Sequence, residues 1–372
     1  MKFVIAPDSF KGSISAHIAC EAIKRGIEEI IPSATLICKP IADGGEGTLD
    51  ALIPFERQIK LSVTGPLFKP VSAQYGNIGD TAIIEMAAAA GLTLVPEGDR
   101  KAGNATTYGV GEIIVDAIRN GYRKIMLTVG GSATNDGGCG MLAALGARFT
   151  NVDGKDFIPT GNTLYNISRI DLSGVIKEIF DCEFIIATDV KNPLLGEKGA
   201  TYVYAPQKGA IHKELDNMEK GMAHYAQLLT AMSKRNVAEI EGCGAGGGVS
   251  APLLAFFNAR IQSGIDTVLD ITDFDNALTD ADAVITGEGK IDSQSLFGKA
   301  ISGVAKRANE NGIPVYCFVG CVGDDTNKLK SMGITDIFDI LSIANSSDDA
   351  MKNADKYLCI IAKEFAKNIW ND

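Results

Sequence analysis

The chain has few of the features that would mark a metalloprotein, a disulfide-stabilised protein or a membrane protein. Its eight cysteines show no CxxC or other ligand-like spacing, which argues against a zinc site and a disulfide framework. No apolar run reaches the roughly 18 residues that a membrane-spanning helix needs. The three histidines, His17, His212 and His224, lie in or near expected helices, where a surface position is favoured over a catalytic one.

Positive charge is in the minority. Lysine and arginine number 35 against 46 aspartates and glutamates, and the net charge of −11 argues against nucleic acid or an anionic membrane as a partner. Met1–Ala6 leads into a strand-like segment without a signal-peptide pattern, so a cytoplasmic location is expected. A chain of 372 residues exceeds the size at which one core usually stops growing, which predicts two domains.

A Walker A loop is missing from the sequence, so nucleotide binding would have to use another loop. A GxGxxG pattern does occur at Gly242, Gly244 and Gly247, with Asp266 nineteen residues after the last glycine. The pattern follows a short expected strand, Val237–Ile240, and its spacing matches that of a dinucleotide-binding loop. Because a lone match is weak in a chain this rich in glycine, coincidence or another kind of phosphate loop is favoured.

Glycine is abundant, at 41 of 372 residues, and lies mainly in polar turns. The sharpest is GGSATNDGG at Gly130–Gly138, which follows the apolar run Ile125–Val129 and precedes a helix-like segment. Glycines let a backbone approach a ligand, and N–H groups at a helix start favour an anion. A tight turn with a helix cap is the alternative interpretation. Similar turns recur as PDSFKGS (Pro7–Ser13), ADGGEGT (Ala42–Thr48), ATDVKNP (Ala187–Pro193) and TGEGKID (Thr286–Asp292).

Strand-like and helix-like segments alternate at both ends of the chain. A strand at Phe3–Ala6 precedes a helix with apolar spacing up to Ile30, and a strand at Ala283–Thr286 precedes a helix at Ala300–Asn311. This alternation predicts βαβ units around a parallel sheet. We therefore expect an α/β fold with a discontinuous Rossmann-like domain, residues 1–70 and 280–372, and an inserted mixed α/β domain, residues 71–279. The recurring turns would form one site in the cleft between them.

The middle of the chain is less regular. Val71–Ile78 and Thr81–Glu85 predict an antiparallel pair, and Phe149–Phe157 predicts a hairpin. Helices are expected at Tyr108–Asn120 and Lys213–Arg235, and one last helix at Met351–Trp370.

Charged residues in the turns are candidates for chemistry. Carboxylates such as Asp43, Glu46, Glu288 and Asp292 suit Mg²⁺, which usually takes one or two of them together with substrate phosphates. Each could instead be an exposed turn residue or a helix cap. Asp189 follows the apolar strand Phe184–Ala187 and could accept a hydroxyl proton or simply cap the next turn.

Two lysines stand beside glycines in these turns. Lys11 and Lys290 could each neutralise a phosphate or a substrate carboxylate as a point charge, although most lysines are simply solvated.

With these turns the chain resembles the glycerate kinase type I family of bacteria. The resemblance is carried by APDSFKGS, ADGGEGT, TTYGVGE, GGSATNDGGCGML, ATDVKNPLLG, APQKGA, GAGGG and GEGKIDSQSLFGKA, which appear in the family's order. It extends from about residue 2 to residue 368. It implies a two-domain α/β kinase that uses MgATP to phosphorylate D-glycerate, most often at the 2-hydroxyl, in glycerate and glyoxylate breakdown.

The resemblance and the turns together assign candidate roles. Catalytic candidates are Asp189, Asp8, Lys11 and Lys290; candidates for binding substrate or phosphate are Ser9, Gly44, Gly45, Gly130, Gly131, Ser132, Thr134, Asn135, Asp136 and Asn192; candidates for binding Mg²⁺ are Asp43, Glu46 and Asp292. Phosphorylation of the 3-hydroxyl, a nicotinamide-dependent hydroxy-acid dehydrogenase and a non-enzymatic sensor of small acids stay open as alternatives. A homodimer is likewise left open.

Overall fold

The computed structural model describes residues 1–291, 299–323 and 332–371. The chain divides into two compact units, one made of Met1–Phe55 with Ile265–Asp372 and the other of Glu56–Gly264. The sequence places the domain boundaries near residues 70 and 280. The difference at the first boundary arises because the strand Ile59–Thr64 pairs antiparallel with Pro70–Ile78 and so belongs to the second unit.

The α/β fold class is confirmed by the sheets, three of them in the described residues, and by helices that alternate with strands. The strands are β1 (Lys2–Pro7), β2 (Thr35–Cys38), β3 (Ile59–Thr64), β4 (Pro70–Ile78), β5 (Thr81–Glu85), β6 (Lys124–Thr128), β7 (Arg148–Thr150), β8 (Asp156–Phe157), β9 (Arg169–Asp171), β10 (Glu183–Ala187), β11 (Asn258–Gln262), β12 (Ala283–Ile291), β13 (Val315–Val322) and β14 (Ile334–Asp339).

The helices vary from single turns to more than twenty residues. They are α1 (Ala16–Glu28), α2 (Thr48–Leu52), α3 (Ala87–Ala90), α4 (Tyr108–Arg119), α5 (Cys139–Ala144), α6 (Ala200–Tyr204), α7 (His212–Ser233), α8 (Ala251–Phe256), α9 (Gly264–Ile271), α10 (Phe274–Leu278), α11 (Lys299–Glu310), α12 (Ser347–Lys352) and α13 (Ala354–Asn371). Within the described part of the chain, no helix has both the length and the apolar character needed to cross a membrane.

The first unit is built on a five-stranded sheet in the order β14-β13-β12-β1-β2. Every neighbouring pair in this sheet is parallel. Helix α1 begins at Ser15, whose side chain accepts the backbone N–H of Ile18, and its apolar residues recur on one buried face. Gly26 lets α1 approach α13 closely, because a Cβ there would overlap the carbonyl of Cys359.

The second unit is built on a six-stranded mixed sheet in the order β11-β10-β6-β5-β4-β3. Strands β11, β10, β6 and β5 are parallel, whereas β5, β4 and β3 are antiparallel neighbours. A small antiparallel sheet, β8-β7-β9, completes the unit. The predicted antiparallel pair at 71–85 and the hairpin at 149–157 are therefore confirmed.

Candidate active site

The first sheet has a topological switch point. Strand β2 lies on one side of β1, and β12, β13 and β14 follow in chain order on the other side. In doubly wound sheets of this order, ligands bind outside the carboxyl ends of the strands at the switch, which here is the β1/β12 pair. The PDSFKGS turn leaves β1 at this point, and the GEGK residues form the last part of β12.

A pocket of about 470 Å³ opens at this switch point. One part of its wall is polar and charged, and the other part is apolar. The polar wall contains Asp8, Ser9, Lys11, Ser13, Asp43, Glu288 and Lys290, and the apolar wall contains Phe10, Ile340, Leu341, Ala350, Met351 and Ala354. The structure thus brings together side chains from the PDSFKGS, ADGGEGT and GEGKID turns, as the sequence predicts for these three.

Asp8 is the buried carboxyl group of the pocket. It is 6% exposed, and the backbone N–H of Ser9 donates to its Oδ1 at 2.5 Å. Burial raises the pKa of Asp8 to about 6, and the nearby negative charge of Asp43 adds to the rise, while Lys11 opposes it. A carboxyl group with this pKa can exchange a proton near neutrality.

The ADGGEGT turn positions Asp43. Oδ1 of Asp43 accepts the backbone N–H of Gly45 at 2.8 Å, and Thr48 closes the turn by donating its hydroxyl to the Gly45 carbonyl at 2.8 Å. Gly44 adopts a left-handed conformation at φ 79°, which favours glycine. Glu46 is exposed and, of the described residues, is not one of those that line the pocket, so its assignment to the metal stays a prediction without geometric support.

The two candidate lysines sit at the mouth of this pocket. Lys11 and Lys290 are both exposed and both line the pocket. A Cβ added to Gly289 would lie 3.2 Å from the Cα of Phe10 and 3.3 Å from the backbone nitrogen of Lys11. Strand β12 and the PDSFKGS turn therefore lie side by side. This arrangement places two cations beside the carboxylates of Asp8 and Asp43.

The carboxylates of the pocket fit a magnesium ion that is shared with a ligand. Among the described residues, no group of three or more His, Cys, Asp or Glu side chains could hold a metal ion alone. Mg²⁺ normally takes only one or two carboxylates and completes its shell with phosphate oxygens and water. Asp43 lines the pocket and offers one such carboxylate, whose negative charge also acts on Asp8. Asp292, the third metal candidate, lies outside the described residues.

A second group of candidates lies in the other unit, at the carboxyl ends of the parallel strands β6 and β10. The loop Gly130–Gly138 follows β6 and is held to the segment after β5 by two backbone hydrogen bonds. The N–H of Leu92 donates to the Gly131 carbonyl, and the N–H of Ala133 donates to the Ala90 carbonyl, both at 2.8 Å. Gly130 and Gly131 are exposed, whereas Ser132 to Asp136 are buried.

Asp136 organises this loop from within the protein. Its Oδ2 accepts the backbone N–H and the hydroxyl of Thr107, at 2.8 and 2.9 Å, and the N–H of Gly140 at 3.2 Å. Its Oδ1 accepts the N–H of Gly138 at 3.0 Å. Burial raises its pKa, and these hydrogen bonds oppose the rise. The turn-and-cap interpretation therefore explains Asp136 better than direct contact with a substrate.

Sequence reasoning overlooked Lys208, which lies under the same loop. It is 4% exposed, and its ammonium donates to Ser132 Oγ at 2.7 Å and to the Thr134 carbonyl at 2.9 Å. Burial lowers the pKa of Lys208 to about 7, and the charge of Asp136 opposes the fall. The only sequence signal is its place in APQKGA, where a lysine stands among small residues.

Asp189 and Asn192 follow β10, as the sequence predicts. Asp189 is half-buried and its Oδ1 accepts the N–H of Gly264 at 3.2 Å. The side chain of Asn192 is engaged inside the protein, because its Nδ2 donates to the Lys198 carbonyl and its Oδ1 accepts the Tyr204 hydroxyl, both at 2.7 Å. A substrate contact by Asn192 stays a prediction that these two bonds do not favour.

The GxGxxG pattern does not form a dinucleotide-binding loop. Residues 237–240 form a turn and irregular backbone, so the strand expected before the glycines is wrong. A Cβ on Gly244 would overlap the Pro193 carbonyl, and one on Gly247 would overlap the Thr134 carbonyl. These glycines serve close backbone packing against the neighbouring loops, and the N–H of Gly137 donates to the Gly247 carbonyl at 3.0 Å.

The fold and these turns define an α/β protein with a ligand pocket at the switch point of a parallel sheet. A family model described as the glycerate kinase family matches residues 3–370. Glycerate kinase from Bacillus subtilis strain 168 is 43% identical, covering 99% of this chain and 98% of the relative. Glycerate 2-kinase from Escherichia coli K12 is 40% identical, with the same two shares covered.

A solved structure agrees with these relatives. The crystal structure of a protein described as a glycerate kinase 2 from Salmonella typhimurium LT2 has a TM-score of 0.90 and 40% identity, covering 100% of this chain and 98% of that one. This chain belongs to the glycerate kinase family. It is therefore an enzyme of the kinase class, a phosphotransferase.

Proposed function

We propose that this chain transfers the γ-phosphoryl group of ATP to D-glycerate. The observation that carries the proposal is the pocket at the β1/β12 switch point, where carboxylates and lysines from three turns meet. Family membership and relatives named glycerate kinases support the choice of acceptor. Phosphoryl transfer needs positioning and charge neutralisation more than covalent chemistry, and these are what such a pocket supplies.

The pocket of the first unit is assigned to ATP. Its volume of about 470 Å³ is far larger than a three-carbon acid requires and falls in the usual range of roughly 300–1,000 Å³ for pockets that bind larger ligands. Its apolar wall, with Ile340 and Met351, suits an adenine ring, and its lysines suit phosphates. Lys11 and Lys290 would bind phosphate oxygens as point charges.

Asp43 would hold the magnesium ion that accompanies ATP, with Asp292 as a further predicted ligand. The ion would neutralise charge on the phosphate oxygens when bound. Asp43 is oriented for this task by the N–H of Gly45, which occupies one of its carboxylate oxygens and leaves the other for a cation.

The proton of the attacking hydroxyl has two candidate acceptors. Asp8 is favoured by its pKa of about 6, because a general base works best when its pKa lies near the working pH. Asp189 is the alternative, and the expectation that both units contribute to one reaction site stays a prediction. Replacing Asp189 with Asn distinguishes them: near-normal turnover would remove Asp189 from consideration as the base.

The acceptor oxygen is proposed to be the 2-hydroxyl, giving 2-phospho-D-glycerate. The supporting observation is the Escherichia coli relative, whose name specifies a glycerate 2-kinase. The 3-hydroxyl is the alternative. A cytoplasmic role in glycerate and glyoxylate breakdown is proposed with it.

A coupled assay for ADP release tests the activity. We expect ADP release that requires D-glycerate and Mg²⁺ together, and NMR of the product should show phosphorus coupled to the proton on carbon 2. Turnover with a nicotinamide cofactor instead of ATP would support a dehydrogenase. Thermal stabilisation by glycerate without ADP release would support a sensor. Either result would contradict the proposed kinase activity.

A further inference from the structure

Lys208 is a buried cation that has no role in the phosphoryl transfer proposed for this chain. It ends the short turn Pro206–Lys208, and the following Gly209 has a φ of 88° and packs against the Arg100 carbonyl. Burying an ammonium group is costly unless it is well paired. The partners of Lys208 are one hydroxyl and one carbonyl of the Gly130–Gly138 loop, both uncharged.

The bond between Lys208 and Ser132 fixes the direction in which the serine hydroxyl can donate. An ammonium group only donates, so Ser132 Oγ must accept from Lys208 and its own proton is left for another acceptor. Ser132 is 7% exposed and directly follows the exposed Gly130 and Gly131. The hydroxyl therefore lies between a buried positive charge and an accessible stretch of backbone.

Two further polar atoms of the same loop lack a partner within the described part of the protein. Thr134 Oγ1 and Asn135 Oδ1 are buried without a hydrogen bond, although Asn135 Nδ2 donates to the Thr201 hydroxyl at 3.2 Å. Buried polar atoms nearly always have a hydrogen-bond partner. Two such atoms without a partner in one loop need an explanation, such as a ligand.

We propose that Lys208 is a positioning residue that turns the Gly130–Gly138 loop into a binding site for an anionic oxygen, with Ser132 as the donor. The anion is the carboxylate of the acid substrate or a phosphate oxygen of ATP, which share this acceptor chemistry. The inference rests on the proposed kinase activity, because it assigns Lys208 to that reaction. It adds a residue that acts through Ser132 and not by its own contact with the substrate.

The charge that faces Lys208 in the structure is Asp136, on the same loop. The groups around Asp136 are Tyr225 and Cys139, whose pKa values burial raises well above their usual range, so both are uncharged at neutral pH. Lys208 thus changes its own charge near neutrality, with Asp136 as the opposing ion. This gives the proposal a signature in the pH profile that a purely structural lysine would not have.

The test compares Lys208→Met, Ser132→Ala and the double variant, with Lys213→Met on the exposed face of α7 as the matched control. Steady-state kinetics should show KM for one substrate rising on the order of 10- to 100-fold, the range expected for a lost charge-assisted hydrogen bond. A rise for D-glycerate identifies the carboxylate as the anion, and a rise for ATP identifies the phosphate. The double variant should be no worse than Ser132→Ala, because Lys208 acts only through the hydroxyl that Ser132→Ala removes.

The pH profile adds a second readout. As pH rises through about 7 the wild type should lose affinity for the same substrate, whereas Lys208→Arg, which keeps its charge, should show a flat profile. Unchanged KM values in Lys208→Met, or a loss of kcat that follows a loss of thermal stability with both KM values unchanged, would overturn the proposal. If Lys208→Met does not fold, Ser132→Ala decides the question by the same criteria.

Failure of the kinase activity is distinguishable from failure of this inference. Absence of glycerate-dependent ADP release in the wild type would count against the proposed function itself. In that case thermal stabilisation of the wild type by D-glycerate or by inorganic phosphate, compared with Lys208→Met, still tests the anion site. Equal stabilisation of both proteins would overturn it.

Discussion

Burial of Asp8 destabilises the charged form of its carboxyl group. Its folded pKa of about 6 lies above the ordinary value of 3.8, so the folded protein binds this proton more tightly than the unfolded chain does. The contribution to stability is therefore most favourable below pH 3.8 and is lost as pH rises through about 6. A carboxylate whose charged form is destabilised by burial at neutral pH is typical of functional sites.

Replacing Asp8 with Asn should raise stability while abolishing activity. Above pH 6 the variant is expected to be more stable by at most about 3 kcal/mol, which corresponds to the roughly two-unit rise in pKa, and the gain should vanish below about pH 4. Chemical denaturation at several pH values measures this difference. Asp153→Asn, at an exposed turn, serves as the control and should show no such trend. An Asp8→Asn protein that is less stable than the wild type at pH 8 would contradict the argument.

Single residues also show what the sequence can and cannot predict. Asp8, Lys11, Asp43 and Lys290 are predictable because each stands in a turn at the carboxyl end of a strand, where parallel strands bring their ends together. Lys208 is not predictable in this way. Its burial depends on tertiary packing by a turn that follows α6, and sequence alone predicts that a lysine in a short turn with proline and glycine is solvated.

At the scale of elements, Asp136 joins two helices. It accepts hydrogen bonds from Thr107, the residue before α4, and from Gly138 and Gly140 at the start of α5. Buried N–H groups that lose an acceptor each cost about 1–3 kcal/mol. The loop and both helix starts therefore depend on one carboxylate.

Asp136→Ala should lower the free energy of unfolding by on the order of 3–5 kcal/mol, because several buried donors lose their acceptor at once. Asp136→Asn keeps the shape and one acceptor oxygen, so it should recover part of the loss. Thermal and denaturant melting measure both. If Asp136→Ala melted like the wild type yet lost activity, direct substrate contact would explain this residue better.

Gly247 tests how tightly the GAGGG loop packs against the Gly130–Gly138 loop. Its φ of 71° disfavours a side chain, and a Cβ would overlap the Thr134 carbonyl. Gly247→Ala should cost at least about 2 kcal/mol, whereas Gly196→Ala, with a φ of 88° but open space around it, should cost about 1 kcal/mol. Equal losses in denaturant melts would show that the contact with Thr134 does not matter.

The elements themselves are largely predictable, and the exceptions have local causes. The predicted helix at Met351–Trp370 is two helices, α12 and α13, because Ser346 starts α12 by accepting the N–H of Asp349 and the chain leaves helical geometry at Asn353. Strand β3 is missed although Ile59–Thr64 alternates strictly between apolar and polar side chains, the pattern of a half-buried strand. In the structure it pairs antiparallel with β4.

At the scale of the whole molecule, each unit has its own hydrophobic core. In the second unit the core includes Tyr75, Leu127, Phe184 and Tyr225, all fully buried. In the first unit it includes Phe3, Phe318 and Phe365, and the ring of Phe365 meets the rings of the other two edge to face. The first unit is made of two segments separated by the whole of the second unit. The boundaries of such a discontinuous unit are difficult to predict from sequence, since no change in composition marks either of them.

The continuous unit, residues 56–264, should fold when expressed alone, because its sheet and core are complete within it. We expect a single cooperative thermal transition and ordered aromatic signals in the near-ultraviolet circular dichroism. A fragment that keeps helical signal but melts without cooperativity would show that this unit depends on the rest of the chain.

The central claim is that the pocket at the β1/β12 switch point binds the nucleotide. A crystal structure of the protein with Mg²⁺ and a non-hydrolysable ATP analogue tests it most directly. We predict phosphate oxygens in contact with Lys11 or Lys290, the metal ion on Asp43, and the adenine beside Ile340 and Met351. A nucleotide bound along Gly242–Gly248 instead, with the switch-point pocket empty of phosphate, would contradict it.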